Sequence, residues 1–378
     1  MISRPWFVSI LAMLTATPQP LWAQNSDDAA ERNKAVESRQ LSESLDEPLN
    51  NPWFSIVDVS KYTFRDFTAY WENDGTVPNF IDDTDRYYTN GVGFELSFDP
   101  NLSQEAQDRF AISDDPTKQR FGVGIALKQR IYTPTSILQF DPPARDHPYG
   151  GHLSLAFAFQ RADEHTHDHF GLSVGITGHS SGARTIQGWI HNTFPDEDDP
   201  LGWDTQLPTE ATINFAYTRT WKTERADLGG LEMEMLPALG FDLGTVSIAA
   251  RSSMTIRVGK NLPTDFGPAS LQGHKDHTVR VSETGIREGA DETNWSLYAY
   301  TRLGVDAIAR DLFIDGTAFS ASRSAQREPL VATFSFGVIA RYESFYLGWT
   351  QNFQTERFDL QPDSQTWGSI VFGSSFEW

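Results

Sequence analysis

The chain has 378 residues, no cysteine and a formal charge of −21, from 30 Lys and Arg against 51 Asp and Glu. That balance excludes a nucleic-acid binder, which needs clustered cations for phosphate, and the absence of thiols excludes disulfide staples and cysteine chemistry. An acidic surface of this kind instead collects divalent cations.

In chain order, residues 1–23 read as a secretory signal. Arg4 supplies the positive start, Phe7 to Leu14 the apolar core and Leu21-Trp22-Ala23 the cleavage site. The apolar run is too short to span a membrane, and Pro18 and Pro20 interrupt it. Residues 24–60 form a polar lead-in, rich in Asp, Glu, Ser, Asn and Gln, that cannot bury a core.

Residues 61–378 take on a period-two texture. Strands are predicted near 64–74, 93–98, 120–132, 151–160, 170–176, 211–221, 231–241, 246–258, 295–305, 331–342, 346–353 and 367–378. No later stretch approaches the roughly 18 apolar residues of a spanning helix. The fold class read from this is all-β, a transmembrane antiparallel β-barrel of about 12 strands. A soluble sandwich would show similar alternation. The leader, the 13% aromatic content with 11 Trp, and the aromatic end Phe376-Glu377-Trp378 favour the barrel. If the first strand rises from the periplasm, strand parity brings the polar motifs of 73–91, 132–149 and 178–208 to one rim, facing the outer leaflet. Residues 259–293 then make an unusually long periplasmic connection.

Those motifs, in order, are Asn73-Asp74, Asp85-Arg86-Tyr87-Tyr88-Thr89-Asn90-Gly91, Tyr132-Thr133-Pro134, the Gln187/His191/Glu197 spacing and Gly202-Trp203-Asp204-Thr205-Gln206-Leu207. Together they resemble the lipid A 3′-O-deacylase family of Gram-negative outer membranes, over about residues 64–378. Asp265-Phe266-Gly267-Pro268 and Asp315-Gly316-Thr317-Ala318-Phe319 look like further family markers. Two positions depart from the family pattern: His147 stands where an Arg is usual, and His179 follows Gly178 where a Pro is usual.

Ester hydrolysis needs an activated nucleophile and a group to hold the developing oxyanion. His191 can take a proton from water near neutral pH. Asp74 and Glu197 are hard oxygen donors suited to Ca²⁺, which as a Lewis acid polarises a carbonyl. The resemblance implies the same roles: His191 as base with Gln187 beside it, Asn73 as an oxyanion donor, and Asp74, Thr89 and Glu197 around the cation. Arg145 is the lone basic candidate for the phosphates of lipid A or lipopolysaccharide. Tyr132 is read as a substrate contact or interface anchor. Asp85, Arg86, Trp203 and Gln206 are read as structural groups of the rim, Asp85 and Arg86 as an ion pair and Trp203 as an interface anchor. Two alternatives stand beside this reading. One is a serine acyl hydrolase like outer-membrane phospholipase A, built on His179-Ser180-Ser181-Gly182; the other is a non-catalytic barrel or channel.

Overall fold

The computed structural model describes residues 62–75, 78–81, 84–113, 115, 118–193, 199–267 and 295–375. The leader, the polar lead-in, Glu197 and most of the connection over 259–293 lie outside the described residues.

The strands are β1 (Tyr62–Asn73), β2 (Tyr87–Pro100), β3 (Arg120–Thr133), β4 (Gly150–Ala162), β5 (Thr166–Thr177), β6 (Ala211–Trp221), β7 (Ala226–Asp227), β8 (Glu232–Gly244), β9 (Ser247–Lys260), β10 (Trp295–Asp311), β11 (Leu330–Tyr342), β12 (Phe345–Gln354) and β13 (Gln365–Ser375). Each pairs antiparallel with its sequence neighbour, except that β6 pairs with β8 and β13 returns to β1. The two-residue β7 only flanks β8. A closed ring of 12 antiparallel strands results, as the periodicity predicts. Closure leaves no unpaired edge, the condition for a sheet to sit in hydrocarbon.

The alternation is inside-out relative to a soluble protein. Along β10, Trp295, Leu297, Leu303 and Val305 face outward and exposed, while Ser296, Tyr298, Tyr300 and Asp306 face inward and buried. The same holds for exposed Phe94 and Leu96 against buried Glu95 and Ser97 on β2. An apolar outer wall around a polar interior is the signature of a membrane barrel. Among the described residues no helix is long and apolar enough to cross a membrane.

Several charges inside the barrel are paired, which offsets the cost of burying them. Asp168 accepts from Arg161, Arg219 and Tyr217. Arg257 bonds Glu234 and Asp265. At one end the interior holds an apolar plug of side chains: Tyr88, Tyr132, Leu207, Val246, Leu312, Phe313 and Trp367 converge from six different segments. Phe313 stacks on Tyr132 at 4.0 Å across the mouth. Toward the other end Leu262 tucks among Tyr70, Tyr298, Tyr300 and Tyr346.

The two family-marker segments are structural ties. Asp265 pairs with Arg257, and Phe266 stacks on His167. In the loop after β10, the Ala318 and Phe319 amides and the Ser320 hydroxyl donate to the Glu210 carboxylate. That loop lies at the same rim as the β1–β2, β3–β4, β5–β6 and β12–β13 connections.

Candidate active site

The site is built on the outer face of the wall, at that rim. Residues alternate along an extended chain, so Asn90 shares the outward side of exposed Phe94 and Leu96 on β2, and Gln129 shares that of exposed Leu127 on β3. Two pieces of loop cover the wall on either side. One is Pro78–Ile81, which lies over β12 and β13: Trp349 Nε1 donates to the Pro78 carbonyl at 2.9 Å, and Asn79 bonds Thr366 and Gln351. Gly368 makes room for it, since a Cβ there would stand 2.1 Å from Pro78.

The other is a helix, Ala183–Thr193, in the β5–β6 connection. Its buried residues are Ala183, Gln187 and His191, a four-residue spacing that places them on one face. That face meets the wall at Gly151, where a Cβ would stand 2.2 Å from both Ala183 Cβ and Ser181 Oγ. Ile131, Tyr149, Ala183 and Trp203 form the apolar cluster beneath it.

Two chain irregularities set the third side. Tyr87 takes a positive φ of 64°, rare for a bulky residue and found at functional sites. Between Tyr88 and Asn90 the β2–β3 register shifts, so Thr89 is the extra residue of a bulge. Its hydroxyl then meets that of Thr133 at 2.7 Å. Its carbonyl accepts from the Asp74 amide at 3.2 Å and from Asn73 Nδ2 at 3.1 Å.

Gln187, His191, Asp85 and Asp74 come together here. His191 Nε2 stands 3.3 Å from Asp85 Oδ2, and Gln187 Nε2 donates to Asp85 Oδ1 at 3.2 Å. Trp203 Nε1 donates to Gln187 Oε1 at 2.9 Å, fixing which way the amide points. Asp74 is buried. Its Oδ2 accepts from the Arg86 amide at 2.8 Å and from the Thr84 hydroxyl at 3.1 Å, while Oδ1 has no partner among the described residues. Burial, reinforced by the neighbouring charge of Asp85, holds the Asp74 carboxyl well above the usual carboxylate range. An orphaned oxygen on a buried acid, beside a second acid, fits a hard cation. Among the described residues no group of three such side chains completes a metal cage, and Glu197 lies outside them.

Several expected roles look different in the fold. Asp85 pairs with His191 and Gln187, not with Arg86, because the chain bends at Arg86 just before the positive-φ Tyr87 and the Arg86 backbone amide is turned to Asp74. The Arg86 guanidinium instead stands 3.7 Å from Asp363. Tyr132 is fully buried in the mouth plug and Trp203 is buried under the helix, so neither anchors a membrane interface. Arg145 is exposed and pairs with Asp359. Gln206 only continues the short turn after Trp203, its amide donating to the Trp203 carbonyl. His147 is buried in the plug, stacked on Tyr132 at 5.6 Å, away from the imidazole of His191. Ser181 donates to the Gly178 carbonyl at 2.6 Å, a helix-entry bond rather than a Ser–His pair, and His179 is exposed.

The comparisons with known proteins bear on the family and the fold. The family described as "Outer membrane protein LpxR" matches residues 10–376, starting well before the residue-64 boundary of the motif resemblance. The solved LpxR from Salmonella typhimurium superposes with a TM-score of 0.62 at 14% identity, over 82% of this chain and all of that one. That likeness concerns the fold. The β domain of the Bordetella autotransporter BrkA shows a looser likeness, with a TM-score of 0.39 and 11% identity, covering 83% of this chain and 99% of that one. No curated protein sequence matches the chain. The match over nearly the whole length places the chain in the LpxR family of outer membrane proteins, the lipid A 3′-O-deacylase family whose motif order it carries.

Proposed function

We propose that this barrel is an outer-membrane lipid A deacylase that hydrolyses the 3′-linked acyl or acyloxyacyl ester with a water activated by His191. The observation that carries the reading is the position of the Asp85–His191 contact. It lies on the outer wall, under a helix, where the acyl chains of a membrane lipid run. The apolar cluster in the barrel mouth favours this reading over an open channel, and the Ser181–Gly178 bond favours it over a serine hydrolase.

In this reading His191 removes the proton from the attacking water. Asp85 keeps the imidazole oriented and stabilises it once protonated. Gln187, locked by Trp203, holds Asp85. The Asn73 amide donates one proton to the Thr89 carbonyl and has a second to offer an oxyanion. Asp74, with Glu197 and the Thr89 segment, would hold a Ca²⁺ ion. Bound there, the ion would supply Lewis-acid polarisation of the ester carbonyl. The rim bearing the site carries the long β3–β4, β5–β6 and β10–β11 connections, against one long connection, β9–β10, at the other rim; long connections in such barrels face the cell exterior, and their majority supports that orientation here. The site then opens to the outer leaflet, with lipopolysaccharide as the partner.

The test is mass spectrometry of lipid A from cells expressing the protein or its His191→Ala variant. Loss of one 3′-linked acyl group, suppressed by EDTA and absent in the variant, is expected. An unchanged lipid A profile with folded wild-type protein removes the substrate assignment.

A further inference from the structure

The wall has a notch where the site begins. β1 ends at Asn73, which pairs with Asn90 of β2 on one side and with Gly368 of β13 on the other. Toward the rim β2 runs past that point to Tyr87, and β13 to Gln365. Among the described residues no strand separates them there. Backbone groups beside such a gap need other partners. Side-chain amides reach across it. Asn79 Nδ2 donates to the Asp74 carbonyl at 2.9 Å and to Thr366 Oγ1 at 3.1 Å. Gln365 Nε2 donates to the Arg86 carbonyl at 3.0 Å and to the Tyr88 carbonyl at 3.0 Å.

Gln365 bears most directly on the site. An amide nitrogen carries two hydrogens, and here each has a carbonyl. The two carbonyls flank Tyr87, whose φ of 64° a bulky residue keeps only where its surroundings over-determine it. Arg86 passes the constraint on. Its carbonyl accepts from Gln365, while its amide donates to Asp74 Oδ2 at 2.8 Å. The residue before it is Asp85, 3.3 Å from His191. Gln365 is itself 2% exposed and shares the side of β13 that Trp367 presents to the mouth plug. It therefore grips β2 from the lumen side, away from any lipid on the outer wall.

We propose that Gln365 is a positioning residue of the site, acting through the backbone on either side of Tyr87. Its amide bridges the notch and sets the turn at Arg86 and Tyr87. That turn holds Asp85 toward His191 and the Arg86 amide toward Asp74. The kinetic consequence rests on the hydrolase reading; the clamp itself does not. A side chain of equal length without N–H groups would fill the same space and remove that donor from both carbonyls. The chain then settles where those carbonyls find other partners, and the positive φ loses its restraint.

The experiment compares full-length wild type with Gln365→Met, which keeps the length and bulk of the side chain, and with Gln365→Leu as a second variant. Barrel folding in detergent is checked by heat-modifiable electrophoretic mobility. Hydrogen exchange read by mass spectrometry is expected to show protection over residues 84–90 falling about tenfold in the variants, with protection over β10 as in wild type. On a lipid A substrate, kcat is expected to fall about tenfold with KM little changed. Wild-type protection over residues 84–90 in both variants overturns the clamp. A loss shared equally by β10 makes Gln365 a general support of the barrel and overturns the proposal, as does a local loss with kcat unchanged. If wild type cleaves no lipid A, the hydrolase reading falls and the exchange pattern alone decides the clamp.

Discussion

His191 Nε2 stands 3.3 Å from Asp85 Oδ2, although the two residues come from connections at opposite ends of a stretch that includes β2 to β5. A carboxylate beside an imidazole orients the ring and stabilises its protonated form, which a base needs as it takes a proton from water. Asp85→Asn keeps the size and removes the charge. It is expected to lower kcat by about 10- to 100-fold with KM little changed, and Asp85→Glu to restore part of the loss. Steady-state kinetics on a lipid A substrate decide this; an unchanged kcat would make Asp85 a bystander.

Trp203 acts one bond further out, through Gln187. Trp203→Phe removes the indole donor and leaves the Gln187 amide able to turn over. The loss of one hydrogen bond is worth about 1 kcal/mol, so activity is expected to fall severalfold while the barrel stays folded. A variant with full activity would show that the amide needs no lock.

Gly151 is where the helix touches the wall, with Ala183 Cβ and Ser181 Oγ 2.2 Å from where a Cβ would stand. Gly151→Val is expected to lift Gln187 and His191 from Asp85 and lower activity at least about 100-fold, since small misplacements of catalytic groups carry such costs. Heat-modifiable mobility on gels should be unaffected, because the strand ladder does not depend on that contact. Normal activity in this variant would mean that the helix adapts.

Glu210 makes the rim sensitive to acid. Burial pushes its carboxyl upward, but the Phe319 and Ala318 amides and the Ser320 hydroxyl outweigh it and hold the group below its ordinary value. A depressed acid stabilises the fold above the unfolded value, about pH 4.3, and that contribution is lost as pH falls through the folded value. The protection factor for hydrogen exchange in residues 316–322, the rate divided out by the intrinsic pH dependence of amide exchange, is expected to be flat above that point and to fall below it. In Glu210→Gln, which retains one acceptor, protection should already be lower at neutral pH. Wild-type protection that falls with acid already above pH 5 would assign the loop's stability elsewhere.

The strands were legible because their signal is local. Inward and outward positions alternate within each strand, and the polar-in, apolar-out pattern of Trp295–Asp311 can be read without knowing its neighbours. The motif spacing also carried over: Gln187 and His191, four apart, share a helix face. The role of Asp85 was not legible. Its nearest cation in sequence is Arg86, but the Arg86 guanidinium turns to Asp363, and the Asp85 partners lie about 100 residues away. Tyr132 and Trp203 carry the composition of interface aromatics and are buried instead, one in the mouth plug and one beneath the helix.

By itself the sequence determined the barrel, its twelve strands and the rim at which the polar motifs gather, because side-chain periodicity and strand parity follow from the order of residues alone. The tertiary structure decided which carboxylate stands beside His191, and that the candidate site lies on the outer wall and not in the lumen. Those outcomes rest on a one-residue bulge at Thr89, a positive φ at Tyr87 and the docking of a helix on Gly151. Each depends on contacts between segments far apart in the chain, so no local pattern encodes it.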